Sequence, residues 1–235
     1  MEREGERRRE GDRQSTSHFF EQELTQLKER ILKMGALVEE QITASIKTYE
    51  TRDISMARQT IQNDHLVNKM DVEVDEECIR LLALYKPAAR DLRFITTAMK
   101  IATDLERMSD LSEDICERVI ELSDEAPLAK YSETIIGMAY LSRTMVREAL
   151  DAFVQHNAAL ARAVCAKDQN VDDLMRKIFT ELLADMVSDP AIVARAIRIS
   201  FIAKYIERIA DHATNIAEVV VYLIEGKIIR HIAVK

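Results

Sequence analysis

The chain has 235 residues, enough for one large domain or two of about 100 residues, and only 5 Gly and 3 Pro, too few for the many turns of a β-sheet protein. Aromatics make up 5% and Trp is absent, so the core must be aliphatic and Met-rich, as in a helical bundle. A net charge of −8 argues against nucleic acid as a partner, the three scattered cysteines argue against a disulfide or zinc framework and fit a reducing cytoplasm, and no apolar run approaches the ~18 residues needed to span a bilayer.

Residues 1–17 hold five Arg, four Glu, one Asp and two Gly, with almost nothing apolar, and nothing there resembles a signal peptide. Such a segment buries too little to offset its ordering entropy and is expected to be a disordered tail. A first helix is expected over Phe19–Tyr49, with Leu24, Leu27, Ile31, Met34, Val38, Ile42 and Tyr49 on one face and Gly35 inside it. A second is expected over Ile54–Tyr85, with Ile61, Val67, Met70, Val74, Cys78, Leu81 and Leu84 inward, ended by Lys86-Pro87. The third begins after Pro87 and runs to Leu122. Ser123-Asp124-Glu125-Ala126-Pro127 is the clearest break and divides the chain into a three-helix bundle over 18–124 and a second over 129–226.

The second half repeats the plan. Helix four is expected over Tyr131–Phe153 and helix five over Ala158–Met186, with Gln155-His156-Asn157 as the turn between them. Asp189 is a good N-cap and Pro190 suits a first helical turn, so helix six starts there and runs to Glu225, with Gly226 as its stop. Residues 227–235 form a short, mixed tail that the sequence does not place.

Helices three and six carry the feature around which the chain is organised. Asp104-Leu105-Glu106-Arg107-Met108-Ser109-Asp110 and Tyr205-Ile206-Glu207-Arg208-Ile209-Ala210-Asp211 share Glu-Arg-x-x-Asp, 101 residues apart. Their apolar seams match in phase: Ala98, Ile101, Leu105, Met108, Ser112, Ile115 and Val119 against Ile199, Ile202, Ile206, Ile209, Ala213, Ile216 and Val220. This is an internal duplication, so the fold class is all-α, two tandem three-helix bundles with six long helices related by a pseudo-twofold repeat.

With the seam at heptad positions a and d, Glu106 and Asp110 fall on the outward face, as do Glu113 and Glu117, with Asp114 beside them. Helix six repeats this with Glu207, Asp211 and Glu218, and has Asn215 in place of Asp114. The plain reading is a solvated acidic face, because like charges four apart cost only about 0.2–0.5 kcal/mol per pair and Arg107 and Arg118 lie within reach. The repetition at one seam phase favours a site instead. Clustered carboxylates suit hard or borderline cations, namely Mg²⁺, Ca²⁺, Mn²⁺ or iron, with zinc a poorer match. Asp71, Asp75, Asp168 and Asp172, on helices two and five, are further candidates, and His212 is read as a packing or surface histidine.

Together with these motifs, the run Asp75-Glu76-Glu77-Cys78-Ile79-Arg80-Leu81-Leu82-Ala83-Leu84-Tyr85-Lys86-Pro87-Ala88-Ala89-Arg90-Asp91-Leu92-Arg93-Phe94-Ile95 and the opening Phe20-Glu21-x-Glu23-Leu24 resemble the PhoU family of bacterial phosphate-specific transport accessory proteins, over residues 19–226. The resemblance implies surface metal clusters, iron or another divalent ion, whose ligands here would be Glu106, Asp110, Asp114, Glu207 and Asp211. It implies a cytoplasmic, usually dimeric regulator that restrains phosphate uptake through the transporter's ATPase subunit and the phosphate-sensing histidine kinase. An enzyme is not expected: there is no nucleophile–base signature and no Gly-rich phosphate loop. A ferritin-like iron enzyme or store needs inward Glu-x-x-His pairs, and the sequence has none. A plain helical adaptor with merely solubilising acids is the other reading. No anion nest is visible in the sequence, so phosphate sensing is expected elsewhere.

Overall fold

The computed structural model describes residues 2–229, with side chains from residue 18 onward. Six long helices follow one another: α1 (Glu2–Thr51), α2 (Ile54–Tyr85), α3 (Ala89–Glu121), α4 (Ala129–Gln155), α5 (Ala158–Ser188) and α6 (Val193–Glu225), the last entered through a short 3₁₀ turn, Pro190–Ile192. The expected charged tail over residues 1–17 falls on residues whose side chains lie outside those described, and most of the C-terminal stretch 227–235 does too.

The helix ends have local causes. The Asp53 side chain accepts from the Met56 N–H, Asn157 from Leu160 and Asp189 from Ala191, each satisfying a donor that a helix start leaves open. Gly226 closes α6 in the left-handed region at φ 68°, donating its N–H to Tyr222 O. Lys86 at φ 47° and His156 at φ 50° close α2 and α4 in the same way without glycine.

The helices α1–α3 form one bundle and α4–α6 the other, and the two meet along α3 and α6 and, to a lesser extent, along α1 and α4. The seam residues of α3 from Ala98 to Val119, and all those of α6, are buried. Each of these two helices also buries a second stripe of small residues, Ala102, Ser109 and Cys116 on α3 and Ala203, Ala210 and Ala217 on α6. They need it because each packs on two sides, against its own bundle and against the opposite half. Short side chains let the helices approach closely.

Gly35 has a packing role. It sits where α1 passes α4, and a Cβ there would lie 2.6 Å from Leu150 Cδ1. Leu84 is the exception among the expected core residues, at 63% exposed. At the end of α2 the inward position passes to Tyr85, whose ring packs on Phe20 with centroids 4.7 Å apart.

Candidate metal centre

The apolar positions of α2 and α5 correspond as Ala57 to Ala161, Val67 to Val171, Val74 to Ile178 and Cys78 to Leu182. In this register Asp64 matches Asp168 and Asn68 matches Asp172. The α2–α5 register differs by three residues from the α3–α6 register. Each half thus turns acids from its middle helix toward the Glu-Arg-x-x-Asp of its last helix.

In the second half these acids converge. One carboxylate oxygen from each of Asp172, Glu207 and Asp211 lies within 4.8 Å of the other two. Burial, then the neighbouring Glu207 and Asp168, push the Asp211 carboxyl up to about 6. Asp168 is also raised, by burial first and Asp172 second, and its Oδ1 is buried without a hydrogen-bond partner. Lys204 partly answers this charge, its Nζ lying 2.7 Å from Glu207 Oε1.

In the first half the stripe Glu106, Asp110 and Glu113 has Asp71 and Asp64 of α2 among its charged neighbours. Burial raises all three carboxyls; the next cause is Asp110 for Glu106, and Asp64 for Asp110 and Glu113. The acids are set into a groove: the Glu106 side chain is 21% exposed and that of Asp110 37%. Asp71 is raised by burial and then by Asp75, and its Oδ1, like that of Asp168, is buried without a partner. Arg107 bridges the motif acids, with Nε 3.3 Å from Glu106 Oε2 and Nη1 3.0 Å from Asp110 Oδ2.

Raised carboxyls, unpartnered buried oxygens and oxygen atoms from two helices at close range are what a cation-binding groove presents before its ion enters. The donor set is all oxygen, which suits Mg²⁺, Ca²⁺, Mn²⁺ or iron. Asp114 lies one turn beyond Asp110, with Glu117, Arg118 and Arg208 among its charged neighbours. Asn215 and His212 point to the first half: Asn215 Nδ2 lies 3.2 Å and His212 Nδ1 2.8 Å from Asp104 Oδ1.

Asp64 was not singled out in the sequence. It is 7% exposed, yet it sits in the polar run Gln62-Asn63-Asp64-His65 and reads as surface. Its burial is possible because Ser109 Oγ and Asn68 Nδ2 both donate to it at 2.6 Å. Ser109 also hydrogen-bonds Gln41 of α1, so a buried polar chain ties all three helices of this bundle behind the groove.

A family model described as the PhoU domain matches the chain twice, over residues 31–119 and 135–220. The phosphate-specific transport system accessory protein PhoU homolog of Aquifex aeolicus is 39% identical over 213 residues, covering 91% of this chain and 96% of that protein. The homolog of Pseudomonas aeruginosa is 37% identical over 216 residues, covering 92% and 89%. The crystal structure of PhoU from Pseudomonas aeruginosa superposes with a TM-score of 0.86 at 36% identity, over 88% of this chain and all of that one. That of the phosphate transport system regulatory protein PhoU from Streptococcus pneumoniae gives 0.83 at 31% identity, over 89% and 98%.

Proposed function

The chain belongs to the PhoU family, and from that premise we propose that it is a cytoplasmic, non-enzymatic negative regulator of phosphate uptake and of phosphate-responsive signalling. Its relatives are named as accessory proteins of the phosphate-specific transport system, which supports a role beside that transporter. The reading has the protein act on the transporter's ATPase subunit and the phosphate-sensing histidine kinase, as a homodimer carrying divalent-metal sites. No helix among the described residues is long and apolar enough to cross a membrane.

The observation that carries the metal part is the convergence of Asp172, Glu207 and Asp211 from two helices beside the buried, unpartnered Asp168 Oδ1. These residues, and Asp71, Glu106 and Asp110 in the first half, would hold the cation. It would supply positive charge that relieves the carboxylate repulsion and clamps the middle helix of each bundle to the last. A partner would then meet an ordered, partly neutralised groove instead of a repelling one.

The test is made in the native cell. A strain whose only copy carries E106Q/D110N/E207Q/D211N is grown in ample phosphate, and phosphate uptake and sensor-kinase output are measured. Derepressed output from a stably folded variant supports the reading; repression as in the wild type refutes the metal's role. Repression unchanged by deletion of the whole gene refutes the regulatory assignment itself. A second reading, a helical adaptor with no metal, is favoured by Arg107 and Lys204, which already supply counter-charge to the motif acids. Equal titration heats for Mn²⁺ in stripped wild-type and quadruple-variant protein would decide for it.

A further inference from the structure

At the end of the molecule away from the α1–α2 and α3–α4 turns, a cavity of about 550 Å³ opens between the start of α3, the α4–α5 turn, the end of α6 and residues 21–28 of α1. That size lies within the range of small-molecule sites, about 300–1,000 Å³. Its walls combine two chemistries. Leu24, Phe94 and Leu223 give an apolar side, with Phe94 backed by Phe153 at 5.8 Å between ring centroids. Lys28, Arg90 and Arg93 give a cationic side with the His156 ring beside them, and Glu21 and Asp91 also line the cavity.

The two arginines are not used up by structure. The opposite end of the molecule shows what structural use looks like: Arg198 contacts Glu125 at 2.7 Å and Glu121 at 3.2 Å, while Arg195 reaches Glu125 at 3.4 Å and Ala126 O at 3.0 Å. At the cavity, neither Arg90 nor Arg93 makes an ion pair among the described residues, and Arg93 Nε is buried with no hydrogen-bond partner. Lys28 is anchored by its bond to Val154 O at 2.9 Å, which fixes its charge at the wall. After burial, the groups that hold the His156 imidazole below its ordinary value are Lys28 and Arg90, and the lining sets Lys28, Arg90 and Arg93 against Glu21 and Asp91, a net positive balance. The first turn of the 33-residue α3 opens at the same place, and its N-cap, Ala88, supplies no side-chain acceptor. The helix dipole there adds to the attraction for an anion, part of it already met by Asp91 in the same turn, whose N–H donates to Ala88 O.

We propose that this cavity binds a phosphate-bearing small molecule, its phosphate held by Lys28, Arg90 and Arg93 and its organic part laid against Leu24, Phe94 and Leu223. Arginine forks match phosphate oxygens in pairs, and neither Arg90 nor Arg93 has an ion-pair partner among the described residues that a phosphate would have to displace. The apolar wall and the volume favour an organic phosphate over inorganic phosphate, whose oxygens would leave that wall unused. The site is separate from the acidic grooves, so its occupancy does not depend on the metal reading.

The experiment uses full-length protein stripped of metal and held in chelator, so that phosphate cannot bind through a cation. Isothermal titration is run with ADP, with inorganic phosphate, and with phosphatidylglycerol vesicles to separate a free ligand from a lipid headgroup. The expected result is saturable ADP binding, competed by excess inorganic phosphate and weakened at least tenfold in R90Q/R93Q. Because Arg93 is partly buried, R90E is the control variant: Arg90 is exposed, so the fold is retained and the same loss is expected. Absence of ADP binding, ADP binding unchanged in both variants, or a variant-sensitive response to vesicles alone would each overturn the proposal.

Discussion

His212 of α6 reaches across the junction between the bundles to Asp104 of α3, with its Nδ1 2.8 Å from Asp104 Oδ1. Both side chains are only 16% exposed. Asn215 donates to the same oxygen, so this one carboxylate collects two contacts from the opposite half. A hydrogen-bonded pair sheltered from water in this way is worth more than one at the surface. Replacing His212 with Ala should cost about 1–2 kcal/mol of unfolding free energy. Asp104→Asn should cost a similar amount, and the double variant less than the sum, with a coupling of roughly 0.5–1.5 kcal/mol. Urea unfolding of the four proteins measures this; strict additivity would show that the contact contributes nothing.

The acidic groove predicts an inverted pH response. Asp211 is raised to about 6 in the folded chain, against an ordinary value of 3.8. Between those values the folded state holds more protons than the unfolded one, so stability falls as pH rises through that window and is highest on its acid side. Allowing for solvent screening of this half-open groove, the effect of this residue is about 1 kcal/mol. Asp168, Glu106 and Asp110, all raised, act in the same direction. Metal-free protein should therefore unfold at a higher temperature near pH 5 than near pH 7.5, and Asp211→Asn should flatten that difference. A thermal scan across pH in the presence of chelator is the check.

Most of the architecture was readable because it rests on periodicity. The seams of α3 and α6 step by three and four in one phase, and the cores of both bundles follow from them. Leu84 failed because periodicity does not tell where the last inward position of a helix yields to a neighbour such as Tyr85. The motif acids were readable because the duplication fixes their phase on α3 and α6. Their partners on the middle helices were harder, since the three-residue difference in registers hides the match of Asp64 to Asp168. Asp64 looks like any surface aspartate until Ser109 and Gln41 are seen around it. The basic cavity was not visible at all. Lys28, Arg93 and His156 are distant in sequence and become neighbours only when the end of α6 comes up beside the start of α3.

The grooves also predict how metal stabilises the protein. A cation bound by the folded state alone raises stability by RT ln(1 + [L]/Kd), about 2.7 kcal/mol at a hundredfold excess over Kd. For wild type, Mn²⁺ added to stripped protein should raise the unfolding midpoint at neutral pH and release protons, because Asp211 is partly protonated before binding. Asp172→Asn/Glu207→Gln should lose much of that rise while standing at least as stable as wild type without metal, because it removes two mutually repelling charges. A variant that keeps the full shift would exclude these oxygens as ligands.

Gly35 supplies the last prediction. A helix interior prefers Ala to Gly by about 1 kcal/mol, so the glycine on α1 carries a standing cost. The obstacle to replacing it is the Leu150 methyl, 2.6 Å from the position of an added Cβ. Leu150 Cδ1 is the far end of a flexible side chain, so for Gly35→Ala a small rotamer shift can offset the helix gain, and the net change should stay within about 1 kcal/mol. Gly35→Leu cannot be accommodated in that way, because its branches meet Leu150, only 5% exposed, where α1 faces α4. Overpacking there should cost about 1–3 kcal/mol, and Leu150→Ala in the same chain should recover part of it by opening the space. Chemical denaturation of Gly35→Leu, Leu150→Ala and their combination tests this directly, and an additive double variant would mean that the two residues do not meet.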